Sequence, residues 1–501
     1  MAQLSEAYTD PLPVPESLWA MLDAGARAHP TDPALTVAFQ PADRLSELKP
    51  QSVVESTKSS SLDCLHWTYS DIRHASLVVA TGLQSLGVKR GSRIVSFLPN
   101  GVECVLLLWS STALQLTWAP LEFRLLEAGR EEQLREYLRR LDPDAVIVPD
   151  ENGAVTLDAA LRDVGQTYVV KVSLERTGAK GWADFDSFAS HNHDPGHLEA
   201  AAVQDPAIER NGERTSLVMF TSGTSTGKPK GCIKSARHML AGTIGDIVAV
   251  TDNVASAILQ TFHTGAMCQS FLHIYGAKGR HVIMPSIIPS PVTTLDAVEK
   301  FRADLMISIP VSIHSLSREL ARRPRDLSSL KRVAIGGDMC TIEALEKFQE
   351  CFPSTFVTTG HGMTEGISVI GWRDDEVPTP YPQYHGILTL GRVVNGSSLR
   401  ICDENRRVLP RGQAGELHLG GPCVIHRYLE DAFPHSFYED EKGSWMLTSD
   451  RALMDEEGRI FIIGRIKDII KRVGQSLSPA VAESVLNGID GVEVSNASSK
   501  R

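Results

Sequence analysis

Residues 220–231 read Phe-Thr-Ser-Gly-Thr-Ser-Thr-Gly-Lys-Pro-Lys-Gly, a stretch dense in groups that hold anions. Gly223 and Gly227 let backbone N–H groups approach oxygen atoms closely, and Thr221, Ser222, Thr224, Ser225 and Thr226 add hydroxyl donors. Lys228 and Lys230 supply mobile positive charge. The order is not that of a Walker A loop, which has four residues between its glycines and a Ser or Thr after its lysine. Here three residues separate the glycines and Pro229 follows Lys228. On its own, such a loop is equally a phosphate cradle or a polar surface turn.

Other short blocks suit the same chemistry. They are Gly336-Gly337-Asp338, His361-Gly-Met-Thr-Glu365, Thr448-Ser449-Asp450 and Gly464-Arg-Ile-Lys-Asp-Ile-Ile-Lys471. Singly, Glu365 reads as a turn acid, Asp450 as a cap, and Lys467, Lys471 and Arg472 as a solvated face.

The elements that position these blocks follow from hydrophobic period. A helix is expected over Glu16 to Ala28 and another over Tyr69 to Leu86, ended by Gly87. Arg93–Phe97 reads as a strand, and Cys104 to Pro120 as a core helix running toward a strand. Helical and strand segments alternate to about Val172, the signature of doubly wound α/β layers. Ser216–Phe220 is a short apolar strand feeding the opening loop, and alternation resumes from Ile258 to Gly371. From about Leu388 to Ile463 short strands and Gly turns predict a small β-barrel or distorted sheet. The polar stretches Pro41–Asp63 and Arg176–Glu213 read as a loop and a connecting segment.

At 501 residues the chain is too long for one core. A net charge of −11 argues against nucleic-acid binding, which relies on Lys and Arg. Eight scattered cysteines without ligand spacing predict reduced thiols rather than zinc. The N-terminus has no signal-peptide pattern and no run is long enough to span a membrane, so a cytoplasmic location is expected.

Taken in order, the blocks resemble the adenylate-forming superfamily of acyl-CoA synthetases, luciferases and peptide-synthetase adenylation domains. Its usual loop is Thr-Ser-Gly-Thr/Ser-Thr-Gly-x-Pro-Lys-Gly; this chain has one additional residue between Gly223 and Gly227. Trp67-Thr-Tyr-Ser-Asp71, Gly87-Val-Lys-Arg-Gly91, Leu98-Pro-Asn100 and Gly415-Glu416-Leu417 with Gly420-Gly421 extend the likeness. The resemblance implies an α/β fold with a large N-terminal domain over 1–464, made of two doubly wound subdomains and a β-barrel-like part at about 388–463. A hinge and incomplete C-terminal lid would occupy 465–501.

It also implies roles. Thr221 to Lys228, with Lys230, would cradle the ATP phosphates; Gly336 and Gly337 would wall the adenine pocket, with Gly360, His361, Gly362 and Met363 adjoining. Thr364 would meet the α-phosphate, Glu365 the Mg²⁺, and Asp450 and Arg465 the ribose, with Lys467 as the hinge. Lys471 and Gly474 would face the thiol after the lid rotates. The implied reaction activates a carboxylic acid as acyl-AMP and transfers it to coenzyme A, and a place in secondary metabolism is expected.

Amino-acid-activating relatives carry an aspartate where this chain has Thr261-Phe-His-Thr-Gly265. A buried α-ammonium without a counter-charge is costly, so a fatty or aryl acid is expected. His263 and Ile367 would lie near it. Only Asp468–Arg501 follows the hinge, where the family has a full lid carrying a catalytic lysine. A shortened form of an active ligase, a natural short form with weak adenylation, and a nucleotide- or acyl-binding pseudo-enzyme all remain open. A separate carrier protein as thiol acceptor also remains open.

Overall fold

The computed structural model describes residues 3–10, 17–50, 63–190, 214–221, 229–246, 256–259, 280–283, 290–337, 339–372, 377–394, 396–468, 470–472, 475–477 and 479. Two seven-stranded sheets carry most of the chain. In the first, the strands run in the order Gly231–Ser235, Thr215–Phe220, Thr117–Pro120, Arg93–Ser96, Ala145–Val148, Val170–Ser173 and Ala183–Asp184. All neighbours are parallel except the Gly231–Ser235 edge, which doubles back on Thr215–Phe220. Ala145–Val148 is buried along its whole length, as expected of a parallel strand covered on both faces.

The second sheet runs Phe356–Thr359, Arg332–Ile335, Leu305–Ser308, Ser256–Leu259, Arg280–Ile283, Pro33–Val37 and Leu65–Thr68. It is parallel except at its last pair. Helices Leu18–Ala28, Tyr69–Ser85 and Val102–Ala113 share one core with strands of both sheets. Every residue of Val102–Ala113 is buried, which explains a helix apolar around nearly its whole circumference. Thr68 and Asp71 form a reciprocal capping box that starts Tyr69–Ser85. Asp71 also meets buried Lys49 at 3.6 Å.

One sequence expectation is narrowed and two change. The β-rich region is an open antiparallel sheet, not a closed barrel: Glu6–Tyr8, Ser398–Cys402, Gly415–Gly420, Gly443–Met454 and Phe437–Asp440, with Ile460–Arg465 also on Gly443–Met454. Its first strand comes from the chain's beginning, too short to carry a visible period. Glu6 pairs in register with Arg400, whose guanidinium stacks 3.7 Å from the centre of the Trp445 ring and meets Asp440 at 2.5 Å. The stretch around Arg176 is not merely connecting, since Phe185 and Phe188 of Phe185–Ser190 are buried against Tyr69–Ser85. Likewise Leu45 and Leu48 lie in the core within the expected Pro41–Asp63 loop.

The seven described cysteines are free thiols, and Cys268 lies outside the described residues. No helix among the described residues is long and apolar enough to cross a membrane. Gly391 joins the β-rich part to the rest through backbone in the left-handed region, φ +97°. A Cβ there would land on the Gly371 carbonyl. Gly391→Ala is therefore expected to destabilise by roughly 3 kcal/mol or more, read as a lower denaturation midpoint.

Candidate active site

The opening loop is held at its mouth. Phe220 pairs in register with Gly231, and Thr221 N–H donates to the Lys230 carbonyl at 3.0 Å. Ser222 to Lys228 lie outside the described residues. Gly231 is demanded by close approach, because a Cβ would sit 2.8 Å from that of Leu429. Lys230 Nζ lies 5.1 Å from the Tyr428 ring centre and 4.6 Å from that of Phe433, favourable ground for a cation.

Helix Glu131–Leu141 supplies a brace that the sequence did not reveal. Arg140 donates to the Pro229 carbonyl at 3.0 Å and to Glu430 at 2.9 Å, and lies over the Phe220 ring. Arg140→Ala removes all three contacts from the loop's exit. A several-fold rise in KM for the ATP that the resemblance implies is expected, with little change in the unfolding midpoint, measured by steady-state kinetics and thermal denaturation.

Glu365 sits where strand His361–Met363 turns into Gly366–Gly371: Met363 pairs with Gly366, leaving Thr364 and Glu365 as the turn. The side chain is only 8 % exposed and accepts the Tyr428 hydroxyl at 3.0 Å. Its backbone carbonyl accepts Ile425 N–H at 2.8 Å. Burial and the Glu365 charge push the Tyr428 phenol far above its ordinary range, so it stays a donor. The same two causes push the buried Cys232 thiol well up, which makes it an unreactive neighbour.

Gly336 and Gly360 end adjacent parallel strands, Arg332–Ile335 and Phe356–Thr359, and continue their ladders. A Cβ on Gly336 would stand 3.5 Å from the Gly360 carbonyl, and Gly337 turns with φ +83°. His361 Nδ1 is buried without a hydrogen bond, and burial, aided by Arg465, lowers its pKa to about 4. The ring is neutral at physiological pH.

Asp450 and Arg465 face each other on Gly443–Met454 and Ile460–Arg465 and pair at 3.1 Å. Arg465 also donates to the Thr448 carbonyl at 3.0 Å, and Thr448 Oγ1 accepts Asp450 N–H at 3.0 Å. Ser449 between them takes φ +62°, the left-handed region that favours glycine. Burial pushes the Asp450 carboxyl up to about 6; Glu365 and Glu416 add to the rise, and Arg465 opposes it.

Several of these pieces meet at one cleft of about 540 Å³. Thr221, Lys230, Gly337, Gly362, Met363, Thr364, Glu365 and Arg465 line it, with Tyr428 and Ser449. Gly336, Gly360, His361 and Asp450 are not part of that lining. The lining also includes Glu122, Arg130, Gln133 and Tyr137, which no sequence motif marked. Lys467 lies in the turn after Arg465. Lys471 belongs to a separate hairpin, Ile470–Arg472 with Gln475–Leu477, which is not brought to the cleft by strand pairing. Gly474, His263 and Asp338 lie outside the described residues, as do the side chains of Lys471 and Ile367.

Several known proteins are similar to this chain in sequence and fold. The chain is 30% identical over 504 residues to an acyl–CoA ligase of Pestalotiopsis microspora, covering 99% of this chain and 86% of that one. It is 25% identical over 434 residues to a 4-coumarate–CoA ligase of Pinus taeda, covering 84% and 75%. ATP-bound MatB from Rhodopseudomonas palustris superposes with a TM-score of 0.72 at 20% identity, over 95% of this chain and 84% of that one. The anthranilate CoA ligase AuaEII, in complex with anthranoyl-AMP, superposes with a TM-score of 0.74 at 17% identity, over 96% and 83%. The sequence profile described as AMP-binding enzyme matches residues 56–429, and the chain belongs to that family.

Proposed function

We propose that the chain is an AMP-forming acid–thiol ligase: ATP and a carboxylic acid give acyl-AMP and pyrophosphate, and coenzyme A then displaces AMP. The observation that carries this reading is the convergence of Lys230, Thr364, Glu365 and Arg465 on one cleft, in a chain of the AMP-binding enzyme family. A free carboxylate is a poor acyl donor because oxide is its leaving group; adenylation replaces oxide with AMP. The residues contribute chiefly positioning and charge neutralisation. Lys230 would meet the phosphates, and Thr364 would donate to the α-phosphate. Asp450 and Arg465 fix the ribose. The carboxylate of the acid attacks the α-phosphorus as the bond to pyrophosphate breaks, so no protein proton is needed in that step.

Magnesium fits this donor set. Glu365 offers one buried carboxylate, and no cluster of three or more His, Cys, Asp or Glu exists among the described residues. Mg²⁺ keeps waters and shares its shell with substrate phosphates, so one or two protein carboxylates suffice. When bound, it would neutralise the charge developing on the leaving phosphates.

The acid is proposed to be aromatic or fatty and to lack an α-ammonium, since Thr261-Phe-His-Thr-Gly265 offers no counter-charge. Relatives named as 4-coumarate and feruloyl enzymes support the aromatic choice. Lys467 is proposed as the hinge that exchanges the adenylating and thiol-transfer arrangements, and a role in secondary metabolism suits such an acid. Acid-dependent ATP–pyrophosphate exchange, followed by thioester analysis with coenzyme A, tests the reading across aryl, fatty and amino acids. Exchange with amino acids alone would refute the substrate class. Exchange without coenzyme A thioester would point to a carrier protein, and tight ATP binding without exchange to a binding protein.

A further inference from the structure

Strand Gly231–Ser235 leads away from the phosphate loop and ends at the N-terminus of helix Ala236–Asp246. Five residues at about 3.3 Å each put that end roughly 16 Å from Lys230. Strand Gly443–Met454 likewise runs from the Asp450 region back to Gly443. Between these far ends lies a second cleft of about 290 Å³. Its basic lining residues are Arg237, His238, His426 and Lys442, and no carboxylate lines it, in a chain whose net charge is −11.

The donors are arranged rather than scattered. His238 is only 5 % exposed, and its Nδ1 accepts Ser235 N–H at 3.2 Å. Burial, with His426, Lys234 and Arg237 nearby, lowers its pKa to about 3, so the ring is neutral. A neutral imidazole that accepts at Nδ1 carries its proton on Nε2. That Nε2–H has no partner among the described residues, and the side chain lines the cleft. Ser235 Oγ accepts His238 N–H at 3.2 Å, which leaves its own proton free to donate. Arg237 is exposed and makes no ion pair among the described residues. The His426 ring packs edge-on at 4.7 Å. Lys442 is already engaged by Glu6 at 2.9 Å and adds least.

We propose that this second cleft binds a phosphate group, as inorganic phosphate or a phosphate monoester, through His238 Nε2–H, the Arg237 guanidinium and the Ser235 hydroxyl. A carboxylate has two oxygens, which the Arg237 fork alone can occupy; a phosphate has further oxygens for His238 and Ser235. Gly420 and Gly421, with no side chains, present backbone to the cleft. The site shares no lining residue with the catalytic cleft and does not depend on the ligase reading.

Calorimetric titration of the full chain with inorganic phosphate and with glycerol phosphate tests it. R237Q and H238Q should each weaken binding by roughly tenfold or more, while R237K stays within about threefold of the original. Tighter binding of the ester identifies an esterified ligand, and equal binding identifies free phosphate. Arg237 is exposed, so R237Q carries the test by itself if H238Q fails to fold. Phosphate binding that R237Q leaves unchanged overturns the proposal, as does no binding to the original chain at millimolar phosphate.

Discussion

Glu365→Gln is expected to lower acid-dependent ATP–pyrophosphate exchange by about a hundredfold or more while leaving the fold intact. Glutamine keeps the shape and the oxygen that accepts the Tyr428 hydroxyl at 3.0 Å, and the backbone bond from Ile425 is untouched. What disappears is one negative charge at a side chain only 8 % exposed. A loss that travels through magnesium should be partly recovered by raising its concentration, whereas a loss of fold should not. Exchange within about threefold of the original would remove Glu365 from the metal role.

Asp450→Asn should separate stability from function. The Asp450 carboxyl titrates at about 6, above its ordinary value of 3.8, because burial outweighs Arg465. A carboxyl raised on folding stabilises the protein fully below pH 3.8 and loses that contribution as the pH rises through 6. At pH 8 the native chain therefore carries a buried charge whose cost is at most about 3 kcal/mol, from a shift of about two units. Asparagine carries no such charge, so the variant should melt higher than the original at pH 8. The gap should shrink as the pH falls through 6 and vanish near 4. Nucleotide affinity should move the opposite way, about tenfold weaker or more at pH 8, because a charged acceptor for the ribose is gone. Denaturation at several pH values, beside a nucleotide titration, reads both effects. A variant that melts lower at pH 8 would contradict the argument.

The site was legible where chemistry is written in consecutive residues. The Pro-Lys-Gly exit, the Thr364–Glu365 turn and the Asp450 and Arg465 blocks each carry their residue types within a few positions, and the structure sets them around one cleft. Tyr428 and Arg140 were not legible. Tyr428 reaches Glu365 across 63 positions and Arg140 reaches Pro229 across 89, so only the folded sheet order brings them together. The alternation of helices and strands showed the doubly wound layers, because buried parallel strands and their helices leave strong patterns. A three-residue strand such as Glu6–Tyr8 leaves none, and its partner Ser398–Cys402 lies near the other end of the chain. The barrel and the distorted sheet were both open for a related reason: frequent short strands are common to both, and closure depends on pairings the pattern does not contain.

The second sheet has a consequence for the order in which the protein is made. Pro33–Val37 and Leu65–Thr68 form its edge, yet their neighbour Arg280–Ile283 is synthesised 212 residues after Thr68, from 280 − 68. At about 5–20 residues per second, that hairpin waits roughly 10–40 s on the ribosome for the strand that covers it. Leu35, Val37, Leu65 and Trp67 are wholly buried in the finished molecule and have no sheet to enter during that interval. The first sheet, drawn from residues 93–235, can close meanwhile. The nascent chain thus has a defined period in which one edge of that ribbon stays unpaired. Chaperone demand and aggregation during expression should concentrate there rather than at the catalytic cleft.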